Sequence, residues 1–113
     1  MRIAAGFLVG IHDFRSFVSA GGSAKTFTRN VRGLEIKTCD DPILRIFVEA
    51  DGFLYNMVRI IVGTLLEVGR GKIASEDVRY IRDAGDRRLA GPTAPARGLC
   101  LIRVEYDNDS NLQ

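Results

Sequence analysis

Between Gly52 and Gly69 the chain reads Gly-Phe-Leu-Tyr-Asn-Met-Val-Arg-Ile-Ile-Val-Gly-Thr-Leu-Leu-Glu-Val-Gly. That run is long enough for a helix of four to five turns, stopped by Gly69-Arg70-Gly71. On a helical wheel Phe53, Leu54, Met57, Val58, Ile60, Ile61, Leu65 and Val68 cover far more than half the circumference, leaving a stripe of Asn56, Arg59, Gly63 and Glu67. A helix apolar almost all round is central to its domain, so Arg59 sits on a largely buried element. Arginine cannot shed its charge, and stripping a buried one of its partner costs about 3–5 kcal/mol. Two readings stand. Arg59 has an anionic partner, in this chain or outside it, or it snorkels to solvent at the rim of the core.

The rest of the 113-residue chain is enough for one domain around that helix, not two. Arg2 to Gly10 reads as the end of a helix with Ile3, Phe7 and Leu8 on one side, and its abrupt start suggests missing material upstream. Asp13 is the expected N-cap of a short turn carrying Phe14 and Phe17, and Ser19–Ser23 a flexible loop. Phe27 to Lys37 is a strand whose apolar parity slips between Val31 and the Leu34/Ile36 pair, which puts a bulge near Arg32-Gly33. A turn at Cys39-Asp40-Asp41-Pro42 leads to an antiparallel strand from Ile43 to Ala50. There Leu44, Ile46, Val48 and Ala50 share one face, and Phe47 shares the other with Arg45 and Glu49.

After the central helix, Ser75 is the expected N-cap of a second one, with Val78 and Ile81 inward and an end by Gly85. A loop from Ala90 to Gly98, stiffened by Pro92 and Pro95, precedes a last strand from Leu99 to Tyr106, and Asp107 onward is a polar tail. The fold class is α+β, a small antiparallel or mixed sheet covered by helices.

Several function classes drop out. No run approaches the roughly 18–20 apolar residues of a membrane span, since Arg59 interrupts the best candidate. The N-terminus lacks the apolar core and cleavage site of a signal peptide. Two cysteines, Cys39 and Cys100, and one histidine make neither a disulfide framework nor a zinc set, so no metal is expected and the setting is reducing and cytoplasmic. His12, Asp13 and Ser16 are too close along one turn to form a nucleophilic triad. Gly69-Arg70-Gly71-Lys72 follows a helix rather than opening one, so it is no phosphate loop. Charge is uneven: Arg2, Arg15, Lys25, Arg29, Arg32 and Lys37 face only Asp13 and Glu35 in the first 39 residues, and arginine far outnumbers lysine. That composition favours bidentate contacts to phosphate or carboxylate and points weakly to nucleic acid.

Five blocks carry more. His12-Asp13-Phe14-x-Ser16-Phe17, the Gly52–Leu65 run, Val68-Gly69-x-Gly71, Ala90-Gly91-Pro92-Thr93-Ala94-Pro95 with Gly98-Leu99-x-Leu101, and Val104-x-Tyr106 follow one another in order. In order and spacing, across residues 3–106, the chain resembles the C-terminal half of the bacterial tRNA pseudouridine synthase A family. The resemblance implies isomerisation of uridine to pseudouridine in the anticodon arm of tRNA, without a cofactor. An aspartate attacks the flipped-out nucleotide, the glycosidic bond breaks, the base turns over, and a carbon–carbon bond to the sugar forms. By that likeness Arg59 matches the arginine that pairs with the aspartate, holding it ionised and oriented. Leu99 matches an apolar residue lining the uridine pocket, and Tyr55 and Asn56 are expected to support Arg59.

The departure from the family pattern is large. Its catalytic Gly-Arg-Thr-Asp-Ala-Gly-type motif belongs to the N-terminal half and is not in this chain. Arg82-Asp83-Ala84-Gly85 imitates part of it, but Asp83 sits at the end of a surface-like helix and reads as a decoy. The expectation is therefore a half-enzyme (residues 1–106, with a tail at 107–113) that is inactive alone. Its partners would be the missing N-terminal half, tRNA and a second copy of itself. Arg15, Lys25, Arg29 and Arg32 are the candidates for contacts to tRNA phosphates. The rival is a free-standing α+β module that binds RNA or dimerises without catalysis, which should cover its own sheet edge and Arg59 face.

Overall fold

The long apolar run does become the central helix, but a shorter one than its pattern suggests. In the computed structural model, which describes residues 1–19, 26–38 and 44–95, α2 spans Met57–Gly69. The four to five turns predicted from Gly52 therefore shorten at the N-terminal end. Asn56 adopts φ 59° and ψ 13°, a left-handed conformation that cannot continue a right-handed helix. Phe53 and Tyr55, inside the run assigned to the helix, stand on the approach to it and are 46% and 54% exposed. The predicted stop holds: Arg70 caps the last turn and Gly71 takes a positive φ.

Met57, Ile60, Ile61 and Leu65 are fully buried on α2. They pack with Leu8, Phe14, Phe17, Val31 and Val78, also without exposure. Complete burial of each such side chain contributes about 1.5–3 kcal/mol, which explains how one helix organises so small a domain.

The N-terminal segment departs from expectation. α1 is only Arg2–Gly6, and the chain then turns into β1, Gly10–Asp13, where no strand was predicted. Ala4, Ala5 and Leu8 face the core, whereas Ile3 is 65% exposed. Arg2 anchors α1 by donating from Nε and Nη2 to the Ile36 carbonyl. Asp13 is not the N-cap of the 3-10 turn Arg15–Phe17: Phe14 holds that position without a side-chain bond, and Asp13, at the end of β1, accepts the Arg15 amide on Oδ1 at 2.8 Å. The Ser16 hydroxyl donates to the Ile81 carbonyl at 2.6 Å inside the core, and His12 Nε2 bonds the Val9 carbonyl at 2.9 Å, so neither serves a triad.

β2, Thr28–Thr38, lies between β1 and β3, Leu44–Ala50, in an antiparallel sheet of order β1-β2-β3. The bulge falls where parity slipped: Val31 pairs with Ala50 but Gly33 with Glu49, and Arg32 is the extra residue. That shift returns Val31, Leu34 and Ile36 to one buried face. On β3, Ile46, Val48 and Ala50 pack against the core, while Arg45, Phe47 and Glu49 face outward.

α3, Asp77–Ala84, buries Val78 and Ile81 and ends at Gly85, φ 63°. Ser75 is not its side-chain cap: Glu76 holds that position without a side-chain bond, and Ser75 contributes its carbonyl to the Val78 amide. A 3-10 turn, Arg87–Leu89, then follows Asp86, whose Oδ1 accepts the Arg88 amide at 3.0 Å. Lys25, the turn at Cys39–Pro42, Leu99, Cys100, the strand expected from Leu99 to Tyr106, and the tail lie outside the described residues. Among the described residues no helix is long and apolar enough to cross a membrane, and no group of His, Cys, Asp and Glu is placed to hold a metal ion.

Candidate functional site

Arg59 occupies the first turn of α2, half-buried, and what surrounds it is mostly backbone. Its Nε donates to the Ala94 carbonyl at 2.7 Å, and the Ala94 amide donates back to the Arg59 carbonyl at 3.0 Å. Nη1 donates to Asn56 Oδ1 at 3.0 Å. Asn56 in turn donates from Nδ2 to Ser19 Oγ at 3.2 Å, and the Ser19 amide donates to the Tyr55 carbonyl at 3.2 Å. The left-handed turn at Asn56 thus ends the approach segment and aims its amide at both Ser19 and Arg59. Asparagine tolerates that backbone better than most residues.

Nε and Nη1 of the guanidinium are therefore engaged by a carbonyl and a neutral side-chain amide. Among the described residues no carboxylate pairs with it, and the Nη2 group makes no bond. Partial burial weakens solvent screening, and the remaining donors keep the planar fork that fits a carboxylate or phosphate bidentately. Rim placement and an anionic partner, the two readings left open by the helix, are compatible here. The guanidinium reaches the edge of the core, and its free end faces no anion of the described residues.

The Ala94 carbonyl is held in place by a close backbone crossing. A Cβ at Gly63 would overlap the Pro92 carbonyl oxygen, and one at Gly91 would come within 2.8 Å of the Gly63 carbonyl oxygen and of Thr64 Cα. Glycine is required at both positions for contact rather than for conformation. Thr64, fully buried, donates its hydroxyl to the Ile60 carbonyl at 2.8 Å and accepts the Gly91 amide at 2.8 Å. Arg87 holds the other side of the loop, donating to the Gly91 carbonyl at 2.9 Å and to Thr93 Oγ1 at 3.3 Å. The polar stripe marked Gly63 but not Thr64, Gly91 or Ala94. A glycine within an apolar helix was the one available sign of close approach.

The other predicted residues divide. Asn56 touches Arg59; Tyr55 adjoins it in sequence and is exposed. Arg29 lies beside Gly52, at the head of the approach segment, and its Nη1 donates to the Thr28 carbonyl at 2.8 Å. Arg32 reaches across the bulge to the Ala50 carbonyl at 3.2 Å and to Glu49 at 3.6 Å. Arg15 stacks its guanidinium 4.8 Å from the centre of the Phe27 ring. All three carry charge at or near the surface while bonded within the chain. Asp83 is exposed and paired at 2.8 Å with Arg82, whose hydrogen bond holds its carboxyl below the usual range.

Residues 4–107 match a family model described as tRNA pseudouridine synthase. The chain is similar to the tRNA pseudouridine synthase A of Moorella thermoacetica, 52% identical over 106 residues that cover 94% of this chain and 43% of that protein. It is 50% identical to the tRNA pseudouridine synthase A of Syntrophomonas wolfei over 110 residues, covering 97% of this chain and 44% of that protein. It is also 50% identical to that of Geobacillus kaustophilus over 109 residues, covering 96% and 42%. The chain thus spans less than half the length of these relatives.

Proposed function

The chain belongs to the tRNA pseudouridine synthase family, and from that premise we propose that it forms the C-terminal, arginine-bearing half of an enzyme that converts uridine to pseudouridine in the anticodon arm of tRNA. One observation carries the proposal. Arg59 is oriented by Ala94 and Asn56, yet its free end meets no carboxylate of the described residues. An aspartate supplied by the remainder of the enzyme would complete the pair. Arg59 would then hold that acid ionised and aim it at the flipped nucleotide.

Within this reading Asn56 supports Arg59, Tyr55 offers an exposed aromatic surface to the substrate, and Leu99 lines the uridine pocket. Arg15, Lys25, Arg29 and Arg32 supply positive charge toward tRNA phosphates. No cofactor is required, because the nucleophile and the migrating base provide all the bonds exchanged. The half-enzyme acts in the cytoplasm on tRNA, docked to the nucleophile-bearing half, in a homodimer. Exposed Phe53, on the approach to α2, supplies apolar surface for such docking.

The test is pseudouridine formation on unmodified tRNA by this chain alone, then with the N-terminal half of a relative added. Silence alone and turnover on addition support the proposal. Turnover by the chain alone would place the nucleophile within it, Asp83 first, and overturn the half-site reading. Binding of tRNA without turnover in either case would favour a free-standing RNA-binding module. Leu99→Ala should lower turnover more than thermal stability.

A further inference from the structure

We infer that Thr64 is a positioning residue for Arg59, acting through the 91–94 segment; the inference rests on the function proposed above. Thr64 lies about 1.4 turns along α2 from Arg59 and shares no hydrogen bond with its side chain. Its hydroxyl has both roles filled, donating to Ile60 and accepting from the Gly91 amide. That second bond registers the loop on the helix at Gly91, where the Gly63–Pro92 and Gly91–Thr64 approaches bring the two backbones into direct contact. Three residues on, Ala94 closes the register with paired bonds to the Arg59 backbone and side chain. The position of the Ala94 carbonyl, and with it the orientation of the guanidinium, is therefore set at three points: the Thr64 hydroxyl, Arg87 at Gly91 and Thr93, and Arg59 itself.

Losing the first point leaves a buried Gly91 amide without its acceptor, a strong drive for the loop to move toward water. A shift of about 1 Å in a catalytic group can cost about 100-fold in rate, so the effect falls on turnover rather than on tRNA binding. Serine keeps the hydroxyl and valine keeps the shape without it, which separates bonding from packing.

The experiment uses an active enzyme in which this chain replaces the matching segment of the Moorella thermoacetica relative. Thr64→Val is expected to lower kcat about 10- to 100-fold with KM for tRNA changed less than about threefold, and Thr64→Ser to recover most of the loss. In an Arg59→Lys background, followed in single turnover, Thr64→Val should cost less than about threefold more, since a residue acting through Arg59 has little left to act on. An unchanged kcat, a KM change as large as the kcat change, equal losses in both backgrounds, or a Thr64→Val protein that fails to fold would each overturn the inference. Normal turnover by Arg59→Ala would instead overturn the functional proposal.

Discussion

Two arginines in this chain donate to backbone carbonyls at nearly equal distances and differ in what they do with the rest of the guanidinium. Arg82, on α3, donates to the Phe7 carbonyl at 2.6 Å and pairs with Asp83 at 2.8 Å. Arg59, on α2, donates to the Ala94 carbonyl at 2.7 Å and to the neutral amide of Asn56. The first has its carboxylate within the chain and fastens α3 to the turn after α1. The second is oriented as firmly but meets no anion among the described residues. An arginine's role is therefore read from the donors left over, since the anchoring bonds of the two look alike.

The largest effect expected from this contrast is on turnover. In a chimera carrying this chain, Arg59→Ala should lower kcat about 10²- to 10³-fold with only modest loss of tRNA affinity. Arg82→Ala in the same enzyme should leave kcat within about threefold. Equal losses would erase the distinction. Gly63→Ala comes next, because a methyl there must displace the Pro92 carbonyl and not a flexible side chain. It should destabilise by about 3 kcal/mol or more, measured by urea unfolding. Arg82→Ala should cost about 1–3 kcal/mol in the same assay, by stranding the Phe7 carbonyl.

The smallest effect belongs to Asp83. Its hydrogen bond from Arg82 lowers the carboxyl pKa below its unfolded value, so whatever stability it gives is complete above about pH 4 and fades as pH falls through the depressed value. Asp83→Asn should flatten that part of the stability profile slightly and leave turnover unchanged. A large loss of turnover would make Asp83 more than the partner of a structural arginine.

Sequence patterning located most of the described frame, the arginine and Asn56 beside it, but not the anchor at Ala94. The bulge was legible because a one-residue slip moves Val31 out of phase with Leu34 and Ile36, and burial of all three demands a correction. β1 was not, since Gly10-Ile11-His12-Asp13 has no alternation of its own and becomes a strand only by pairing with β2. The early start assigned to α2 has the opposite origin. Phe53, Leu54 and Met57 fit a helical face, and only the Asn56 backbone breaks it. Arg59 stood out as a charge on an apolar helix. Its anchor at Ala94 did not, because every residue carries a carbonyl and none advertises which one will be used.

The crossing of α2 with the Gly91 loop also sets what genetics can do with this molecule. Most packing defects can be relieved elsewhere, by trimming a neighbouring side chain until the intruder fits. Where Gly63 meets Pro92 and Gly91 meets Thr64, the neighbours are main-chain atoms, and no codon change shortens a main chain. A selection for suppressors of Gly63→Ala should accordingly yield true revertants at position 63, and second-site rescue should be confined to changes that stabilise the whole domain.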